Sequence, residues 1–392
     1  MGYPMDAIKA FFKDQAQHLR REIWELAHQI GERPELGYKE YFASEVLSRF
    51  LQQHGFEVKR GIAGVETAFL ARFTGTRPGP RIAYLAEYDA LPGVGHGCGH
   101  NLIGAGSVGA AVVLSKSLEL SGEILVIGCP AEETSGAKVT LVEKGIFENI
   151  DAAIMFHPGS QNVPVISSLA LDALEFTFHG RAAHAVAAPY FGINALDALI
   201  NFFVGINALK KQISQDMKIN GIITEGGSVP NIIPERAVAR FYLRARKRKD
   251  LDELREKVIR CAEGAASMVS AKMTWQKFEF SYDEMHTNLS LAACFTKNLR
   301  ELGVNQISPP QTAMGSVDMG NVSRAVPAIH PYLTLGTGTE IPHTRDFAQA
   351  ALSEDGENLV MLAMQVLAFT GSDVLSDKKL MQQIKREFRS EK

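Results

Sequence analysis

Three residues that bind divalent transition metals fall within five positions and alternate with glycines: His96-Gly97-Cys98-Gly99-His100. Imidazole and thiolate suit zinc and its neighbours, and such ions collect ligands from separate segments of a chain. Glu132-Glu133 adds two adjacent carboxylates, which can divide the work, one coordinating while the other moves a proton. His157-Pro158 and His343-Thr344 add two more imidazoles. Each has a plainer meaning alone. A single histidine after a strand is ordinarily a satisfied polar residue, paired glutamates suit a helix N-terminus, and a lone cysteine packs as a small apolar residue. The joint placement is what points to metal chemistry.

The elements around these residues explain how they converge. Residues 6–30 and 38–54 have the periodicity of amphipathic helices. Apolar runs at 66–73, 81–86, 123–128 and 151–156 predict strands, with helices at 104–119 and 137–148 between them. Strands that are apolar throughout and alternate with helices belong to a mostly parallel sheet covered on both faces. In such sheets ligands bind beyond the carboxyl ends of the strands. Glu87-Tyr88-Asp89 and the His/Cys loop follow one strand, Glu132-Glu133 the next and His157 a third; His343 follows the later apolar run 332–335. Near residue 170 the rhythm changes to strand 172–179, helical segment 190–214, strands 218–225 and 236–246, helix 250–268 and strand 272–281. That order is β-α-β-β-α-β, the split pattern of ferredoxin-like domains. Helices at 288–302 and 353–369 restore the α/β style. The expected architecture is an α/β domain in two pieces, 1–168 and 288–392, with an α+β domain, 169–287, inserted between them.

The chain has 392 residues, 46% hydrophobic and 22% charged, which excludes disorder, collagen and coiled coil as the dominant class. A net charge of −3 argues against a nucleic-acid binder. Cys98, Cys129, Cys261 and Cys294 are spaced too widely for a disulfide framework, and a reducing, cytoplasmic setting is expected. No apolar run reaches 18 residues, so no membrane partner is expected. At the N-terminus nothing resembles a signal peptide, and Asp6 stands where a myristoylation signal has Ser or Thr. Two other signals have bland explanations. Gly104-Ala105-Gly106-Ser107-Val108-Gly109 fits G-x-G-x-x-G, but nearly 20 residues separate it from the preceding strand, so close helix packing is expected rather than a dinucleotide. The basic run Arg244–Lys249 is followed by Asp250, Asp252 and Glu253 and is expected to be mostly a solvated edge.

The segments AEYDALPGVGHGCGHN (86–101), PAEETSGA (130–137), FHPG (156–159), GRAAHA (180–185), GGSVPNIIP (226–234) and PHTRDF (342–347) occur in that order. As an ensemble they resemble the M20 family of metallopeptidases and amidohydrolases. The likeness is strongest to its branch of p-aminobenzoyl-glutamate, hippurate and auxin-conjugate hydrolases and aminoacylase-like dipeptidases. The resemblance spans nearly the whole chain. It implies a zinc-peptidase-like catalytic domain with two divalent metals, zinc first and manganese as the alternative, and an inserted lid domain that mediates homodimerisation or a higher homo-oligomer. Cys98, His100, Glu133, His157 and His343 match the family's metal ligands, and Glu132 its general base. His184 resembles the histidine that reaches a neighbouring active site to stabilise the tetrahedral intermediate. Asn231 and Arg244 resemble a pair that holds the substrate's carboxylate. Asp89 resembles the acid that orients a ligating imidazole. Asn101 departs from the Asp that many of these amidohydrolases carry after the CGH triplet.

The expected activity is metal-dependent hydrolysis of an amide bond in N-acyl-amino acids or short peptides with a free carboxylate, by activated water with Glu132 as base. The alternatives are a broader peptidase or aminopeptidase of the same family and a non-catalytic metal-binding relative. Retention of Glu132 and His184 speaks against the last.

Overall fold

The computed structural model describes residues 5–117, 121–311 and 315–390. The chain divides into two compact units. One comprises the chain up to Ser167 and from Met285 onward; the other is Ser168–Glu284, with Gly315–Val317 grouped with it rather than with the piece that surrounds it in sequence.

The first unit opens with α1 (Met5–Glu32), α2 (Tyr41–Gln53), β1 (Glu57–Arg60), β2 (Phe69–Thr74), β3 (Arg77–Ala86), α3 (His100–Ser115), β4 (Ser121–Gly128), α4 (Ala137–Glu143), β5 (Ala152–Ile154) and β6 (His157–Gly159). The insert supplies β7 (Ala170–His179), α5 (Ala195–Leu209), β8 (Lys218–Glu225), β9 (Arg236–Ala245), α6 (Arg248–Met268) and β10 (Lys272–Lys277). The first unit resumes with α7 (Leu289–Glu301), α8 (Met319–Ala325), β11 (Ala328–Ile329), β12 (Tyr332–Thr334), α9 (Arg345–Ala350), α10 (Glu354–Ser376) and α11 (Lys378–Ser390).

The sheet of the first unit runs β1-β2-β4-β3-β5-β11. β4–β3, β3–β5 and β5–β11 pair in parallel, while β1–β2 and β2–β4 are antiparallel. Ile82–Ala86 of β3 and Ile124–Gly128 of β4 are buried without alternation, as strands covered on both faces must be. α3 is buried along its whole length, so it is apolar all round instead of amphipathic. Its glycines make that burial possible. A Cβ at Gly106 would sit 2.8 Å from the Phe156 ring, and one at Gly109 would sit 2.7 Å from the Met364 sulfur and 2.9 Å from Ile23. The G-x-G-x-x-G run is therefore a packing surface. α10 is long and apolar enough to cross a membrane by length and composition, but 83% of its apolar window is buried within the fold, as for a core helix.

α3 begins at His100, four residues before the expected start at 104. Gly99, in the left-handed region at φ 71°, turns the chain directly into the helix. A Cβ there would also meet Pro158 at 2.8 Å. His100 thus stands on the first turn of a buried helix and not on a loop.

The insert folds as an antiparallel sheet in the order β10-β7-β9-β8, with α5 and α6 packed on it around Phe176, Phe178, Phe202 and Phe241. This is the ferredoxin-like arrangement that the β-α-β-β-α-β order predicts. The basic run is partly internal. Arg248 donates to both oxygens of buried Asp172, at 3.0 and 2.7 Å, Arg255 joins it at 2.9 Å, and Arg246 pairs with Asp216.

Candidate metal centre

The carboxyl ends of β3, β4, β5 and β11 all carry chemistry. Glu87 and Asp89 follow β3, Glu132 and Glu133 follow β4, His157 follows β5 and His330 follows β11. Donor atoms come together in three overlapping groups, each lying within 4.8 Å: Glu87, His100 and His157; Cys98, Glu133 and His343; and His100, Glu132 and Glu133. All five residues expected as metal ligands take part, and so does Glu132. His96, the first member of the His/Cys loop, does not. It is buried with both ring nitrogens unpartnered, and burial with the His100 charge beside it lowers its pKa to about 3.

The histidines are set for coordination. The His100 Nδ1–H donates to Asp89 Oδ1 at 2.9 Å, and the His157 Nδ1–H donates to the Pro158 carbonyl at 2.7 Å. Each bond fixes the tautomer and leaves Nε2 with a bare lone pair. Asp89 also accepts from the Glu133 backbone N–H at 2.9 Å through its other oxygen. One carboxylate therefore aims a ligand from α3 and anchors the loop that carries another. His343 is more exposed; its N–H donates to the Gly97 carbonyl at 2.9 Å, tying the last ligand to the His/Cys loop.

The electrostatics are those of a cation site without its cation. Burial pulls His100 down, but Asp89, Glu87 and Glu133 together hold it well above an ordinary imidazole. Burial, then the charges of Glu87, Asp318 and Glu133, raises Glu132 well above the carboxylate range. Burial, helped by Glu133 and Glu132, also pushes the Cys98 thiol up. His100 Nε2 and Glu87 Oε2 are buried with no hydrogen-bond partner. Excess carboxylate, a thiol that needs a cation to ionise, and bare imidazole nitrogens fit one or more divalent ions. Such ions would supply Lewis acidity and a nucleophilic water at neutral pH. Glu132 stands in the same cluster with a carboxyl able to take up and hold a proton.

Several residues went unnoticed in the sequence. Lys138, fully buried on α4, lies 2.6 Å from Glu87 and 2.6 Å from Asp318. Burial works against each of these charges. Lys138 and the neighbouring histidines nevertheless hold Glu87 at about 2, whereas burial leaves Asp318 up at about 6. His330 lies behind His157, their ring centroids 5.4 Å apart, and burial lowers its pKa to about 3. Glu40 accepts from the Ala131 N–H at 2.8 Å, holding the turn before Glu132. The available signals were a lysine in an otherwise apolar helical run and a histidine directly after an apolar strand. Asn101 does not face the cluster; its amide donates to the Ala27 and Ala351 carbonyls.

Within the insert, His184 is exposed, and its Nδ1 accepts from the N–H groups of Val186 and Ala187 at 3.3 and 3.1 Å. Its proton is therefore placed on Nε2, where it can be donated outward. Asn231 lies beside it, since the Ala185 N–H donates to the Asn231 carbonyl at 3.0 Å. Arg244 is not brought to Asn231. It lies near the far end of β9, opposite Leu171 and Lys218, with its guanidinium over the Tyr242 ring. Asn231 precedes the start of β9 at Arg236, and the strand from Arg236 to Arg244 extends roughly 27 Å.

Carboxylate, imidazole and thiolate donors gathered at the carboxyl edge of a parallel sheet, with a second carboxylate beside them, define a metal-dependent hydrolase. Comparison with known proteins gives the family. The chain is 33% identical over 401 residues to the Xaa-Arg dipeptidase of Mus musculus, covering 98% of this chain and 93% of that protein. It is 33% identical over 289 residues to a p-aminobenzoyl-glutamate hydrolase of Escherichia coli (strain K12), covering 67% of this chain and 59% of the relative. A peptidase dimerisation domain matches residues 170–267. The fold is shared with a dinuclear metal-binding M20 peptidase of Bacillus subtilis, at a TM-score of 0.68 and 21% identity over 90% of this chain and 99% of that one. It is shared too with an aminobenzoyl-glutamate utilization protein of Klebsiella pneumoniae, at a TM-score of 0.70 and 20% identity over 90% and 98%. The chain belongs to the M20 family of metallopeptidases and amidohydrolases, and it is an amide-bond hydrolase.

Proposed function

We propose that the protein hydrolyses the amide bond of dipeptides or N-acyl-amino acids bearing a free carboxylate, using two divalent ions held by Cys98, His100, Glu133, His157 and His343. The observation that carries this is the convergence of those donors within 4.8 Å groups that also include Glu132. Glu132 takes the proton of the attacking water and passes it to the leaving amine. The outward Nε2–H of His184 suits a donor to the developing oxyanion, a contribution of about 3 kcal/mol for comparable donors. The names of the mouse and E. coli relatives support a substrate with an amino-acid leaving group, and Arg244 offers a bidentate grip on its carboxylate. Zinc is favoured because Cys98 is a soft ligand; manganese is the alternative for a mixed N/O site.

The working unit in this proposal is a homodimer formed through the insert. In support, Ile200 and Val204 are exposed one turn apart on α5, and Ile222 and Ile223 are exposed on the edge strand β8. The separation of Arg244 from His184 and Asn231 along one insert also suits a substrate gripped by residues of two copies. A cytoplasmic location is proposed from the four free cysteines.

The test is to screen the zinc- and manganese-loaded protein against a library of dipeptides and N-acyl-amino acids by mass spectrometry, with Glu132→Gln as control. Hydrolysis that falls by a factor of about 100 or more in the variant, with metal content retained, supports the proposal. No hydrolysis by the loaded wild-type protein, or full activity in the variant, overturns it.

A further inference from the structure

We propose that Glu87 is itself a metal ligand, forming with His100 and His157 a sulfur-free N2O pocket beside the Cys98–Glu133–His343 pocket. The inference deepens the proposed function and rests on its metal site.

Glu87 is 1% exposed, and its two oxygens have different surroundings. Oε1 is 2.6 Å from the Lys138 ammonium. Oε2 has no hydrogen-bond partner and points at His100 Nε2, 3.4 Å away, an atom that also lacks one. The His100 Nδ1 proton is committed to Asp89, so a neutral His100 turns a lone pair toward a carboxylate oxygen. Two buried lone pairs facing each other repel unless something positive lies between them. The His157 Nε2 is likewise bare, because Nδ1 donates to Pro158, and the donor atoms of all three residues lie within 4.8 Å. A divalent cation answers every one of these atoms at once.

Lys138 explains how the carboxylate is presented. It bridges Glu87 and Asp318 at 2.6 Å each, which occupies one Glu87 oxygen and leaves the other for a single metal bond. Lys138 is thus a positioning residue for a monodentate ligand. The two pockets then differ in kind. Two imidazoles and a carboxylate suit zinc, manganese or iron alike, whereas the pocket with the Cys98 sulfur favours softer ions.

The experiment is cobalt(II) titration of the chelator-stripped full chain, comparing wild type with Glu87→Gln. Gln keeps the side-chain shape, and Lys138 retains Asp318. The readouts are bound cobalt per chain after gel filtration and the near-ultraviolet sulfur-to-cobalt band, which reports the Cys98 pocket alone. The expected result is that E87Q loses one cobalt equivalent, or binds it at least about 10-fold more weakly, while the sulfur band develops as in wild type. Glu87→Asp, which keeps the charge against Lys138 but withdraws the oxygen from His100, should behave the same way and carries the test if E87Q does not fold. Wild-type stoichiometry and affinity in a folded variant overturn the assignment of Glu87 alone. A wild-type chain that binds no cobalt overturns the metal site as a whole.

Discussion

Glu40 offers the sharpest quantitative test of how the first unit is held together. Its carboxylate is fully buried and accepts from the Ala131 N–H at 2.8 Å and the Thr67 hydroxyl at 2.9 Å. Both bonds favour the charged form, yet burial outweighs them and, with the charge of Asp89, lifts the carboxyl from 4.5 to about 7. Between those values the folded chain holds a proton that the unfolded chain has lost. The stabilisation is therefore complete below the unfolded pKa and disappears as pH rises through about 7. The lift corresponds to roughly 3 kcal/mol, of which about 2.5 kcal/mol is lost between pH 5 and pH 8. Glu40→Gln has no proton to lose and can still accept from Ala131. In a Trp275→Phe background Trp24 is the remaining tryptophan and reports the first unit. Urea unfolding of the metal-stripped pair at pH 5 and pH 8 should show E40Q gaining about 2.5 kcal/mol on its parent at the higher pH. Taking the difference between variants cancels the titration of other groups. A difference independent of pH would refute the reasoning and mean that Glu40 stays ionised because the two donors outweigh its burial.

Asp89→Asn should weaken metal binding by about 10- to 100-fold, because an amide cannot accept from both the His100 Nδ1–H and the Glu133 N–H; competition against a chromogenic chelator measures it. Lys138→Met should destabilise the first unit by about 3–5 kcal/mol, since it strands two buried carboxylates. Urea unfolding followed by Trp24 checks the size of that loss.

The two-unit architecture was legible because burial leaves a pattern. β3 and β4 are apolar runs of strand length, and the insert announces itself by the change to alternating strands. Element ends were less legible where tertiary packing decides them. Nothing in residues 100–103 marks a helix start; Gly99 and the burial of α3 set it. The five expected ligands stood out because His, Cys and Glu at strand ends are chemically conspicuous. Lys138 and Asp318 did not, since a charged residue in an apolar helical run reads as an exposed face until its partner, 180 residues away, is seen. His96 misled for the converse reason: its spacing from Cys98 and His100 matches a ligand cluster, but its ring is buried away from those groups.

The backbone around the metal centre indicates that the site is formed before any ion arrives. Ala131, immediately before Glu132, has φ 59°, and the ligand His343 has φ 68°. For residues with a Cβ this left-handed region costs about 1–2 kcal/mol each, so it persists only where surrounding bonds dictate it. Those bonds are present. Glu40 takes the Ala131 N–H, the Ala131 carbonyl accepts from the Gly136 N–H at 2.8 Å, and the His343 N–H is taken by Gly97. None of these contacts needs a metal. The ligands are therefore placed by buried carboxylates and backbone hydrogen bonds, and the unpartnered atoms His100 Nε2 and Glu87 Oε2 are what a preformed cation site leaves exposed to its ion. The free energy of metal binding can then go into coordination instead of into ordering the loops, which is the condition for a site that keeps its geometry while Glu132 moves a proton.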